Sequence, residues 1–196
     1  VALTDGTIYK ESYPKSEYYL ISFFGRLNYS YASRYLLTAS LRYDGTSRFA
    51  NNKWGLFPSV AFAWNIKNEN FLKDVNALSA LKLRLSWGQT GQQELNAGDY
   101  PTLATYKENK VGSYYYFGNQ LVIPTTPLPY NADLKWETTT TYNAGIDFGF
   151  LDGRLTASVD GYYRKTTDLL NYAPVPAGSN LKNYLDANIG TLENYG

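Results

Sequence analysis

The sequence predicts an all-β protein, and within that class an antiparallel transmembrane β-barrel segment of about six or seven strands. Three observations predict it. Stretches in which apolar and polar residues alternate with period two recur along the chain, the pattern of strands with two unlike faces. Tyr, Phe and Trp make up 17% of the residues, and rings suit a pleated surface. Those rings also gather at the strand ends, and this separates a membrane barrel from a soluble sheet.

The first strand spans Ile21–Ala32, with Ile21, Phe23, Gly25, Leu27, Tyr29 and Tyr31 on one face. The second places Tyr35, Leu37, Ala39, Leu41 and Tyr43 against Leu36, Thr38, Ser40, Arg42 and Asp44. In the third, Trp54, Leu56, Pro58, Val60, Phe62 and Trp64 oppose Gly55, Phe57, Ser59, Ala61 and Ala63. The fourth sets Leu81, Leu83, Leu85 and Trp87 against Lys82, Arg84, Ser86 and Gly88. The fifth carries Tyr142, Ala144, Ile146, Phe148 and Phe150, and the sixth Leu155, Ala157, Val159, Gly161 and Tyr163. Asn188–Gly196 reads as the start of a seventh.

No charged residue falls on the apolar face of these six strands. The opposite face carries eight: Arg26, Arg42, Asp44, Lys82, Arg84, Asp147, Asp160 and Arg164. Alternation alone fits a β-sandwich equally well, with the apolar face turned inward. Ring placement favours the barrel. With short turns on the periplasmic side, Tyr29, Tyr31, Tyr35, Trp64, Phe148 and Phe150 lie at the inner ends. Tyr43, Trp54, Trp87, Tyr142 and Tyr163 lie at the outer ends, and Leu, Ala, Val and Ile fill most of the middle. Two aromatic girdles around an aliphatic band match a lipid-facing wall, because amphipathic rings favour the headgroup level.

Connection lengths follow the same sidedness. Ala32–Arg34 and Leu151–Arg154 are short inner turns, and Phe71-Leu72-Lys73 suggests a helical piece in the longer inner connection Lys67–Ala80. The outer connections are Gly45–Lys53, Gln89–Thr138 and Lys165–Leu185. Six or seven strands fall short of the eight or more of single-chain bacterial barrels, and open edges in hydrocarbon leave backbone groups unpaired. Val1–Lys10 does not read as a signal peptide, so a leader has been removed or the chain is an internal portion. The strand count favours a portion.

Composition excludes several function classes. A net charge of +1 gives no reason to expect nucleic acid as a partner. Without Cys or His, thiol chemistry is unavailable and a zinc site is unexpected, and nothing calls for a cofactor. Asp44, Asp133 and Glu137 invite a glycosidase reading, but nothing places two carboxylates across a cleft, so no enzyme is expected. Gly88-Gln89-Thr90-Gly91 lacks the Lys and spacing of a phosphate loop. The run Tyr114-Tyr115-Tyr116-Phe117, inside the longest outer connection, is the candidate substrate-binding site, because ring faces stack on sugars and peptide side chains and loops carry function. The lumen charges are expected to pair with one another or with a plug more than to line a substrate path.

Five segments resemble the SusC/RagA family of TonB-linked outer-membrane transporters, in the family's order and over well more than half the chain. They are SFFGRLNYSYASRYLLTASLRYDGTSRF (Ser22–Phe49), WGLFPSVAFAW (Trp54–Trp64), LKLRLSWGQTGQQ (Leu81–Gln93), LKWETTTTYNAGIDFGFLDGRLTASVDGYYRKTTDLL (Leu134–Leu170) and NIGTLENYG (Asn188–Gly196). Trp87 stands where Tyr is common and Gln92 where Asn is. The resemblance implies that residues 1–196 are part of a 22-stranded barrel domain in the outer membrane of a Gram-negative bacterium. The plug and TonB box would then lie outside this chain. It implies active import of a glycan or peptide, a SusD-like surface lipoprotein as partner, TonB as energy source, and outer-membrane lipid around the wall. A secreted carbohydrate-binding β-sandwich and a passive porin are the alternatives.

Overall fold

A computed structural model of the chain describes residues 3–4, 7–8, 16–95, 99–103, 106–108, 115–122, 125–127, 129–176 and 183–196. Seven strands form one antiparallel sheet in which every neighbour in space is the next strand of that sheet in sequence. They are β1 (Leu20–Tyr31), β2 (Tyr35–Thr46), β3 (Trp54–Asn65), β4 (Leu78–Gln92), β5 (Glu137–Phe150), β6 (Leu155–Thr167) and β7 (Thr191–Tyr195). This up-and-down meander needs only antiparallel neighbours, so each connection joins adjacent strand ends.

Register keeps the two faces apart across the whole sheet. Leu27, Ala39 and Val60 stand in one row, which continues through Trp87, Tyr142, Tyr163 and Tyr195. The adjacent row, on the other face, runs Asn28, Thr38, Ala61, Ser86, Asn143 and Tyr162. A slip of one residue anywhere would turn charges onto the apolar face. That face carries exposed large side chains, with Phe23 at 62%, Leu27 at 64% and Val159 at 60%. Among the described residues, the cluster of buried apolar side chains contains Phe57 and so lies over the opposite, polar face. A sandwich would cover the apolar face, whereas a barrel wall leaves it to lipid.

Two inner turns are built alike. Arg34 N–H donates to Tyr31 O at 3.0 Å, and Ala32 and Ser33 have φ of 52° and 53°. Gly153 N–H donates to Phe150 O at 3.2 Å, with Leu151 and Asp152 at 53° and 54°. Two successive positive φ values match the twist of a tight hairpin, at a cost for non-glycine residues. Neighbours offset that cost. Asn65 and Asn68 each donate from Nδ2 to Ser33 O at 2.9 Å, and Gly153 N–H also donates to Ser79 Oγ at 3.0 Å.

The third inner connection holds two one-turn 3-10 helices, Ile66–Asn68 and Asn70–Leu72, with Lys73 at the C-cap in the right-handed region. Lys67 Nζ donates to Leu72 O and Val75 O at 2.9 and 2.8 Å. Glu69 ties this connection to the inner girdle. Its carboxylate accepts from Tyr35 Oη at 2.7 Å, Trp64 Nε1 at 3.1 Å and Arg34 Nη1 at 3.2 Å. The bonds from Tyr35 and Trp64, with the Arg34 charge, hold the carboxyl below the usual carboxylate range against its desolvation.

That shift has a defined pH signature. A lowered folded-state pKa contributes stability that is complete above the unfolded value and is lost as pH falls through the folded one. In the full-length protein, Glu69→Gln should therefore lower the denaturant midpoint at neutral pH. The gap to wild type should close as the pH falls below the carboxylate range. A gap of constant size down to strong acid would assign the effect to packing and not to charge.

The long connections differ in detail from the sequence expectation. β4 and β5 stay paired up to Gln92 and Glu137, so the outer connection between them spans 93–136. Asn188 pairs with Leu170 in a separate hairpin, Leu170–Pro174 with Tyr184–Asn188, and not in β7. Gly190, at φ 87°, turns the chain between that hairpin and β7, a conformation open to glycine without penalty.

Candidate functional site

Three loop and strand segments converge at the outer end of the polar face. Phe49 comes from the connection after β2, Phe57 from β3, and Leu134 and Trp136 from the approach to β5. Phe49 and Leu134 are fully buried, with Phe57 and Trp136 each at 7% exposure, and Leu95 and Leu170 pack against them. The Trp136 ring meets Phe49 and Phe57 edge-on at 5.9 and 5.4 Å, a preferred aromatic geometry. Trp136 Nε1 donates to Lys53 O at 3.0 Å, satisfying the one polar atom of the indole.

Phe57 has room because its surroundings lack side chains. A Cβ at Gly55 or at Gly91 would overlap the Phe57 ring. The β3–β4 ladder also stops at Ser59 and Gly88, next to Pro58, and proline has no N–H to extend it. The strands part there, and Phe57 sits where they do.

Below this apolar cap lies a groove of about 610 Å³ lined by Arg42, Asp44, Ser59, Gln92, Phe57 and Trp136, among others. Arg42 Nε donates to Asp44 Oδ1 at 2.8 Å, and Ser40 and Ser59 share a hydrogen bond of 2.6 Å. The surface offers hydroxyls, amides and one ion pair beside two aromatic rings. It suits hydrogen bonding to a polar solute more than catalysis. Asp133 accepts from Asn51 Nδ2 at 3.1 Å and Glu137 from the Leu170 N–H at 3.0 Å, so each carboxylate weighed above has its own partner.

Further down, the lumen charges pair among themselves. Arg84 reaches Asp147 with two nitrogens, at 2.9 and 2.8 Å, and Asp160 on β6 at 3.0 Å. Gly145 of β5 lies between Arg84 and Asp160 in register, and a Cβ there would overlap the Asp160 carboxylate. Its lack of a side chain lets one guanidinium span three strands. With Arg42–Asp44, five of the eight charges predicted for this face are in ion pairs.

The aromatic run behaves differently from a single patch. Tyr114 lies outside the described residues. Tyr115–Phe117 is one arm of a hairpin with Gln120–Val122, joined through Gly118 at φ 60°. Alternation along a strand sends Tyr115 and Phe117 to one side, 5.8 Å apart between centroids, and Tyr116 to the other. All three are exposed, at 64, 72 and 73%, so they are free to meet a partner but not on one plane.

Other outer segments are fastened together. Arg48 donates to Asp99 at 3.0 Å and lies 4.2 Å from the centroid of the Tyr18 ring. Asp99 also accepts from Ser16, and that bond with the Arg48 charge holds its carboxyl below the usual range. Asn188 Nδ2 donates to Lys135 O and Asp168 O at 2.7 and 2.9 Å. The sequence reading missed the cap and the groove. The available signal was Phe57, an aromatic on the charge-bearing face, followed across the long connection by Leu134 and Trp136.

Comparison with known proteins agrees with this architecture. Residues 2–196 match the family model described as TonB dependent receptor-like, beta-barrel. The TonB-dependent receptor SusC of Bacteroides thetaiotaomicron is 55% identical over 90% of this chain and 18% of its own length. TonB-dependent receptor P3 of Formosa agariphila is 43% identical over 90% of this chain and 17% of its own. A solved structure of the RagAB peptide transporter superposes with a TM-score of 0.76 at 35% identity, covering 91% of this chain and 19% of that one. The chain thus spans less than a fifth of the length of each of these relatives. With its meander register, its unlike faces and a match over nearly all its residues, the chain belongs to the TonB-dependent receptor β-barrel family, in its SusC/RagA branch.

Proposed function

We propose that this chain supplies barrel wall and outer loops to a TonB-dependent importer of an oligomeric nutrient, a glycan or a peptide, in the outer membrane of a Gram-negative bacterium. The observation that carries the reading is the segregation of faces, held in register across the sheet: an apolar face left uncovered, with no charge between its two aromatic girdles, and a polar face with paired charges. Such a wall separates lipid from an aqueous lumen. The relatives are TonB-dependent receptors by name, and RagAB is a peptide transporter. We carry over from them a TonB-driven cycle, a SusD-like surface lipoprotein as the outer partner and a non-enzymatic role. Residues 1–196 are then all barrel domain.

In this reading the cargo meets the protein twice. Tyr114, Tyr115, Tyr116 and Phe117 provide ring contacts outside, and the groove under the Phe49–Trp136 cap provides hydrogen-bonding groups within. The full-length transporter with all four run residues replaced by Ala tests the outer contact. Uptake or lipoprotein association is expected to fall at least several-fold while barrel assembly, read as heat-modifiable gel mobility, persists. Unchanged uptake together with an unchanged complex would remove these residues from the site.

A further inference from the structure

The apolar face is not evenly filled. Register sets Trp87, Tyr142 and Tyr163 side by side across β4, β5 and β6, and sets Leu85, Ala144 and Gly161 in the next row of that face. Two small residues below three rings leave an almost wholly apolar groove of about 650 Å³. A Cβ built at Gly161 would meet nothing nearer than main-chain oxygens at 3.9 and 4.0 Å. Unfilled apolar volume forfeits dispersion contacts on its lining atoms, and a hydrocarbon chain of matching width restores them.

On the far side of the rings the chemistry changes within one row. Gln89, Thr140, Lys165 and Glu193 occupy that row in register. Lys165 Nζ stands 2.9 Å from Glu193 Oε1, with both side chains nearly half exposed. An ammonium has three donors, so Lys165 has donors beyond the one directed at Glu193. Successive rows on one face lie about 7 Å apart along a strand. Groove, ring and ammonium thus follow the order of acyl chain, ester region and phosphate in a membrane lipid.

We propose that this groove seats one acyl chain of a phosphate-headed lipid of the outer leaflet, with its phosphate at Lys165. The proposal rests on the reading of this face as the lipid side of an outer-membrane barrel.

The test uses the full-length transporter in detergent, titrated with dimyristoyl phosphatidylglycerol and read by native mass spectrometry as lipid retained per protein. Wild type is expected to retain the lipid, and Gly161→Phe, which fills the groove, to retain at least fivefold less. Ala144→Leu fills the same floor from β5 and is expected to act likewise, so the proposal stays testable if one variant does not assemble. Glu193→Gln should raise retention by releasing Lys165, and Lys165→Gln should lower it to the level seen with dimyristoyl glycerol, which has the same chains and no phosphate. Assembled groove variants that retain lipid as wild type does would overturn the proposal. A wild-type protein without heat-modifiable mobility would instead overturn the barrel reading itself.

Discussion

Arginine in place of Leu83 is expected to abolish assembly of the parent barrel, whereas Ser86→Arg assembles as wild type does. Leu83 stands in register with Trp64 and Ile146 on the apolar face, two positions along β4 from Leu85 and four from the outer girdle ring Trp87. A cation there meets hydrocarbon, at about 2–4 kcal/mol near the bilayer midplane. Ser86 stands in register with Ala61 and Asn143, on the face that also carries Arg84, Asp147 and Asp160. An added guanidinium there meets water and existing charge. Heat-modifiable gel mobility of the two full-length variants reads the difference. Equal mobility for both would reverse or erase the assignment of faces.

Phe49→Ala is expected to unfasten the outer cap without dissolving the wall. Phe49 is fully buried against Trp136, Phe57 and Leu134, and emptying such a site costs about 3–5 kcal/mol. The sheet does not depend on Phe49, which follows β2 and lies outside every ladder. The cost therefore falls on the union of the connection after β2 with the segment before β5. Proteolysis of the folded full-length variant should begin in residues 47–53 and 129–136, faster than in wild type, while heat-modifiable mobility stays normal. Cleavage patterns identical to wild type would show that the hydrogen bonds of Asn51, Asn52 and Trp136 hold the loops without the apolar cluster.

The long strands and their two unlike faces were legible in the sequence because each rests on local periodicity. Period two in Leu81–Trp87 puts Leu83 and Ser86 on opposite faces whatever the neighbouring strands do. The hairpin within the aromatic run went unread, although Gly118-Asn119 between Tyr115–Phe117 and Gln120–Val122 is a two-residue hairpin signal that implies rings alternating in direction. The identity of the outer cap was not legible. Asn52 with Leu134, Trp136 with Lys53 and Ser16 with Asp99 are separated by 82, 83 and 83 residues, and no periodicity links positions so far apart.

The sequence by itself determined which side chains face hydrocarbon and which face the lumen, because a strand turns each successive residue to the other face. Tertiary structure alone decided which lumen charges are partners. Arg84 lies beside Asp147 and Asp160 only because β4, β5 and β6 pair in one register and Gly145 leaves the path open. It alone decided that Phe57 belongs to a buried cap and not to a lumen surface, since the site exists only where β3 and β4 part and Phe49, Leu134 and Trp136 close over the gap. Alternation fixes direction along one strand, whereas contact depends on what the other strands and loops bring to the same place.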